Sequence, residues 1–304
     1  MPTLDEVKKF DTPVWDTSVD VSEEGSMEGV LEKAGLNWDV EVRPLFYRGS
    51  SDYNYSLIHT VPQCVVVRKD TEDVVGYCKG KYTPVQNTEA FTFLDRLTKN
   101  DSVSYARAGY FGKGELVWFQ VKLDDTVLRV GKGGEDITEK YITFINGHNA
   151  MVRLSFFPSP IRIVCRNTLQ AALESAGDYR KTGEGLFLRH LKGIHDEINQ
   201  AKGQNAVDSV RSYYDNLQEA FSTMSSRLIN SAEVNSFLRS IVPGSSVRSV
   251  NNRDKILELW DADTNTCYGT RGSLWSLYNA VVEYCDYYRP TPSVDENPSR
   301  RLSS

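Results

Sequence analysis

Two stretches of the chain mix cations with aromatic rings. Arg68, Lys69, Tyr77, Lys79, Lys81 and Tyr82 crowd the first, and Arg107, Tyr110, Phe111 and Lys113 the second. Cations track phosphates while rings stack on unpaired bases, so this mixture is what binding of single strands requires. A third group contributes Arg153, Arg162 and Arg166 within residues 153–192, where seven cations face three acids. Lys79, Lys81, Tyr82, Lys113, Arg153, Arg162 and Arg166 are therefore the candidate nucleic-acid contacts. The competing expectation for any single strand aromatic is a place in the core.

Catalysis has less to stand on. There is no G-x-S-x-G elbow and no cluster of Cys, His and acid that suggests a nucleophile. An enzyme could be built around His148, Arg153 and Cys165, but a cysteine at a strand end reads first as a small buried hydrophobe. His190 and His195 stand five apart, on different faces of a helix, where a metal pair needs three or four. Asp261-Ala-Asp263-Thr-Asn265 opens like a calcium loop, yet Thr266 stands where glycine is needed and Gly272 where a bidentate glutamate is needed. Gly131-Lys-Gly-Gly134 lacks the length and ending of a phosphate loop. The five cysteines are odd in number, widely spaced and free of C-x-x-C pairs, which argues against both a disulfide framework and a zinc site. The expectation is no catalytic residue, no metal and no cofactor.

The elements that must position these residues follow from periodicity. Strands are expected at Cys64 to Lys69, Val74 to Lys79 and Lys81 to Gln86, followed by a helix with Phe91, Leu94 and Leu97 on one stripe. Val103 to Phe111, a Gly112-Lys113-Gly114 turn and Glu115 to Leu123 form another hairpin. Further strands are expected at Val127 to Val130, Tyr141 to Ile145, Met151 to Phe157 and Ile161 to Cys165, then a helix capped by Asn167 or Thr168. Short connections make the sheet antiparallel. Val207, Val210, Tyr214, Leu217, Phe221, Met224 and Leu228 then recur at alternating spacings of three and four, with Phe187, Leu191, Ile194, Ile198 and Ala201 in a shifted phase. This predicts one long amphipathic helix, or two joined near Gly203, packed on its own domain or on a neighbouring subunit of a homo-oligomer. Shorter helices are expected at Ser231 to Ile241, at Asp254 to Trp260 and from Ser273, the last burying Leu274, Leu277, Tyr278, Val281 and Cys285. The fold class is α+β, an antiparallel sheet with a strand-strand-strand-helix core followed by a helical region.

Length and charge complete the outline. At about 150 residues per domain, 304 residues suggest two. The expected division is an acidic, largely irregular arm at 1–35 with a short helix near Glu28 to Ala34, a sheet domain at 36–180, a helical region at 181–290 and a disordered tail at 291–304. Residues 1–41 hold eleven acids against three lysines, and such an arm can compete with a polyanion for a basic groove. Apolar runs of about four residues fall far short of the roughly 20 that a membrane span needs. The acidic start is the opposite of a secretory signal, so a cytoplasmic protein is expected.

Three stretches together carry a family likeness: VVGYCKGKYTPVQNTEAFTFL at Val74 to Leu94, FINGHNAMVRLSFFPSPIRIVCRNTLQAAL at Phe144 to Leu173, and YGTRGSLWSLYNAVVEY at Tyr268 to Tyr284. They resemble the phage/plasmid-like protein family, also called domain of unknown function 932. Its middle motif maps onto Gly147, His148, Arg153, Pro160, Arg162, Cys165, Asn167 and Thr168. The family usually reads Gly-His-Asp-Gly, where this chain has Gly147-His148-Asn149-Ala150. The strand-strand-strand-helix unit is also similar, at the level of fold, to RecT/Erf/Rad-type single-strand annealing proteins. The resemblance implies a phage- or plasmid-encoded protein that binds and anneals single-stranded DNA in recombination or replication. The alternative is a module that sequesters a host protein in defence evasion.

Overall fold

A computed structural model of the chain describes residues 18–49, 57–98, 103–131, 134, 136–160, 166–200, 203–262 and 270–288. They form an α+β fold with antiparallel sheets. The chain divides into two compact units, residues 1–128 with 138–215 and residues 129–137 with 216–304.

The first unit opens with β1 (Val19–Asp20), which pairs with Ala108 and Arg107, and α1 (Met27–Lys33), capped by Ser26 and burying Val30 and Leu31. The described half of the acidic arm is thus folded, and two of its acids are engaged, Asp20 beside Arg107 and Glu24 on Lys33. Its apolar residues Val21, Val30, Leu31 and Ala34 are too few to read as a pattern, yet all are buried. Residues 1–17 lie outside the described residues.

A three-stranded sheet runs in the order β2-β3-β4, with β2 at Val40–Gly49, β3 at Leu57–Arg68 and β4 at Val74–Lys79. α2 (Asn87–Thr98) follows and buries Phe91 and Leu94, as its stripe predicts, and also Phe93. The strand-strand-strand-helix order holds with different members. β2 supplies a strand where none was expected, while Lys81 to Gln86 contributes only a bridge between Tyr82 and Leu191.

The larger sheet has the order β1-β5-β6-β7-β8-β9, with β5 at Val103–Phe111, β6 at Leu116–Val130, β7 at Asp136–Gly147, β8 at Leu154–Ser159 and β9 at Leu186–Leu188. Its core stacks Phe91 on Phe119 and Phe119 on Phe144, with ring centroids 3.7 and 4.6 Å apart. All three rings are buried. α3 (Arg166–Thr182) follows β8, and Ala172 joins a cluster with Trp118, Ile145 and Phe157.

The expected long helix begins later than its stripe suggested. Phe187 belongs to β9, paired with β8, and the helices are α4 (Ile194–Gln200) and α5 (Gly203–Ser226). Residues 181–215 consequently go with the sheet unit rather than with the helices. Tyr214 shows why: its hydroxyl accepts from the Tyr141 and Ser159 amides at 2.9 and 3.1 Å and donates to the Tyr141 carbonyl, tying α5 to the paired strands β7 and β8. Val207 and Val210 are buried in the same unit.

In the second unit Phe221 of the α5 stripe packs on Trp275 at 4.6 Å, while Leu228 at the end of the stripe is exposed. α6 (Ser231–Ile241) starts at a capping box between Asn230 and Glu233. With α7 (Val247–Ala262) and α8 (Leu274–Glu283), which runs into a π-helical turn at Tyr284–Tyr288, it encloses Val234, Leu238, Ile256, Leu259, Leu277, Ala280 and Tyr284. The buried line of α8 is therefore Leu277, Ala280 and Tyr284. Tyr278 is 42% exposed and Cys285 is exposed, because the stripe read from sequence was out of phase by one position. The calcium-like loop from 263 onward and the expected tail at 291–304 lie outside the described residues.

Candidate functional site

A cleft of about 630 Å³ opens on the sheet unit. Gln63 of β3 and Tyr77, Cys78 and Lys79 of β4 form one wall, Lys81 and Tyr82 of the following turn lie between, and residues 150–153 and 189–191 form the other wall. Four cations line it, Lys79, Lys81, Arg153 and Arg189. Among the described residues no carboxylate lines the cleft and no ion pair neutralises any of the four. β8 and β9 pair Leu154 with Leu188, so Arg153 and Arg189 stand opposite each other one step beyond the end of the ladder. Like charges in that relation repel. Burial, then Arg189, then Arg180 on the last turn of α3, push the Arg153 guanidinium below its ordinary range. Tyr77, 72% exposed, and Met151, 71% exposed, present flat apolar surface beside the charges.

The walls are held by residues of the family motif. Gly76 admits the 147–150 loop against β4, since a Cβ there would lie 2.5 Å from the His148 carbonyl oxygen. At Gly147 a Cβ would lie 2.4 Å from the Val152 carbonyl oxygen. The Asn149 side chain accepts from the Met151 and Val152 amides at 2.9 and 3.1 Å, a turn that an aspartate would make equally well. Ala150 sits at φ +60°, where glycine is at ease, which accounts physically for the glycine usual at that position. The departure from Gly-His-Asp-Gly keeps the turn, places a non-glycine residue in the left-handed region and removes a carboxylate at position 149.

His148 is fully buried beneath the loop. Its Nε2 donates to Asn87 Oδ1 at 2.9 Å, a tautomer fixed because Asn87 uses its own amide to donate to the Leu36 and Trp38 carbonyls. The ring lies 5.3 Å from Trp38. Burial pushes its pKa down to about 3, with the neighbouring His190 and Arg68 acting in the same direction. Such a ring stays neutral and structural. His190 stacks on Tyr82 at 5.4 Å and is pushed down to about 4 by burial. Its ring nitrogens make no hydrogen bond of ordinary geometry among the described residues, although the Thr83 backbone lies near enough to favour the protonated ring slightly.

The seven candidate contacts therefore separate. Lys79, Lys81 and Arg153 meet in the cleft. Tyr82 lines it too, but its hydroxyl donates to the Gly147 carbonyl at 3.0 Å and the residue braces the floor. Lys113 is elsewhere, its ammonium bonded to Asp73, whose carboxyl it holds below the usual range. Arg162 and Cys165 lie outside the described residues, as do the side chains of Arg166, Asn167 and Thr168 at the start of α3. Arg189 and Met151 were missed as site residues because they reach the cleft through pairings distant in sequence. A basic residue just after a short strand was the available signal for Arg189. His195 bonds Glu89 at 2.6 Å on the surface and does not join His190. Among the described residues no group of three His, Cys, Asp or Glu side chains could hold a metal ion, and no helix is long and apolar enough to cross a membrane.

A sequence profile of the family described as Domain of unknown function (DUF932) matches residues 74–304, beginning at the first residue of β4. No curated protein and no solved structure matches the chain.

Proposed function

The chain belongs to the family described as Domain of unknown function (DUF932), and we propose that its cationic cleft binds the backbone of single-stranded DNA. The observation that carries this reading is the meeting of four cations, from three separate chain segments and with no ion-pair partner among the described residues, around an open cleft beside the exposed Tyr77 ring. Opposed arginines destabilise the free protein, and an anion bridging them relieves that cost. Arginine suits the role because its planar fork donates two parallel bonds to a phosphate. Tyr77 offers a face on which an unpaired base can stack. The resemblance to phage/plasmid-like proteins gives this binding a setting in recombination or replication, with annealing of complementary strands as the activity implied.

The test is fluorescence anisotropy of a labelled oligothymidylate titrated with protein across a salt series. At about −0.7 per phosphate contact, four contacts give a log–log slope of about −3. Arg153→Ala and Arg189→Ala should each flatten it by about 0.7. Acceleration of strand pairing between complementary oligonucleotides then checks annealing separately. Undetectable affinity at low salt would remove the reading. It would turn attention to the protein-binding alternative, for which Phe46, Tyr47 and Ile58, all more than half exposed on β2 and β3, provide an apolar surface.

A further inference from the structure

β3 and β4 place Cys64 directly opposite Cys78, in the one register that brings two cysteines face to face. Both are free thiols, Cys64 half-exposed and Cys78 buried, and Cys78 lines the cleft between Tyr77 and Lys79. Directly opposed residues of antiparallel strands have Cα atoms about 4.5–5.5 Å apart and side chains on the same face. That separation lies inside the roughly 4.4–6.8 Å range that a disulfide spans. Neighbours along a strand cannot make such a bond, and β3 and β4 are joined by a turn, so the pairing needs no rearrangement of the fold.

We propose that Cys64 and Cys78 form a reversible dithiol–disulfide site on the wall of the cleft, closed by small-molecule disulfides such as oxidised glutathione. This rests on strand register and exposure and is independent of what the cleft binds. The Cys64 thiolate, the more accessible of the two, attacks one sulfur of oxidised glutathione and releases a glutathione thiolate. The Cys78 thiol then gives its proton to solvent, and its sulfur attacks that of Cys64 and displaces the second glutathione thiolate. Two protein thiols lose two electrons and two protons in all, and one glutathione disulfide becomes two thiols. The closed bond ties the edge strand carrying Tyr77 and Lys79 to β3.

The experiment incubates the full chain in glutathione buffers of stepped oxidised-to-reduced ratio, quenches with acid, alkylates free thiols, and reads intact mass and peptide maps. The expected product joins the Cys64 and Cys78 peptides with the loss of two hydrogens and no glutathione on either, grows with the ratio and reverts with dithiothreitol. Cys78→Ser should leave Cys64 as a glutathione adduct and abolish the joined product. Should that buried replacement unfold the chain, Cys64→Ser at the half-exposed position is the second control, and it must also abolish the joined product. A folded wild-type chain, checked by circular dichroism, that gives only mixed disulfides, no reaction, or links to Cys165, Cys267 or Cys285 would overturn the proposal.

Discussion

Cations of the two aromatic-rich stretches of the sheet unit meet opposite fates, and the division runs through the first stretch rather than between the two. Around the β5–β6 turn the cations are occupied. Arg68 grips Asp70 through two bonds of 2.7 and 2.9 Å and lies 4.3 Å over the Trp38 ring. Lys113 bonds Asp73, and Arg107 reaches Ser18 and Asp20. Gly114 at φ +119° lets the Trp38 ring approach, and Trp38 in turn meets Tyr110 and His148, so the rings of this stretch form a hub. At the end of β4, by contrast, Lys79 and Lys81 face a cleft without a carboxylate among the described residues. A cation matched inside the fold contributes stability, whereas an unmatched one is left to attract a ligand. Composition alone does not distinguish the two.

The difference can be tested by making equivalent changes on both sides. Arg68→Ala should have the largest effect, about 2–4 kcal/mol of lost stability, because a side chain only 11% exposed leaves behind a ring face and a carboxylate. Urea denaturation should show this, while the salt slope of DNA binding stays unchanged. Lys79→Glu combined with Lys81→Glu should do the reverse. Affinity should fall by tens-fold and the slope flatten by about 1.4, with the melting temperature held within a degree or two. A variant pair in which both members changed stability, or both changed the slope, would break the comparison.

Acid offers a third check. His148 and His190 have folded pKa values pushed down to about 3 and about 4, against about 6.5 in an unfolded chain. The unfolded state therefore takes up protons that the folded state refuses. Stability is complete above the unfolded value and is lost as pH falls from about 6.5 toward about 4, by up to about 1.4 kcal/mol per pH unit for each ring. His190→Phe keeps a ring against Tyr82 and removes the titration. It should recover about 1–2 kcal/mol of the stability lost between about pH 7 and about pH 5, read from urea midpoints at the two values. A wild-type chain equally stable at both would show that these rings are not held neutral.

The smallest effect is expected at the loop that joins the two walls. Ala150→Gly relieves a left-handed residue at φ +60° and should raise stability by at most about 1 kcal/mol, since glycine's freedom in the unfolded chain offsets part of the relief. A rise of a few degrees in melting temperature with unchanged DNA binding would place position 150 on the structural side of the comparison. A loss of stability would mean that the loop prefers its strain.

Periodicity and turn chemistry, which are local, were enough to give the α+β class, the β3–β4 and β5–β6 hairpins, the Phe91 and Leu94 face of α2 and the helix at Ser231–Ile241, because each element advertises itself within a few residues. The motif around Gly147 and His148 was equally legible, although the sequence could not say whether its histidine worked or packed. Only the tertiary structure decided the remaining questions. It assigned Lys113 to Asp73, laid Arg68 over the Trp38 ring, brought Arg189 opposite Arg153 through the β8–β9 pairing, buried His148 against Asn87, and folded Val21, Val30 and Leu31 into the core. Those outcomes depend on partners tens of residues away. Charge neutralisation and burial act through distance in space, and a linear pattern records only distance along the chain.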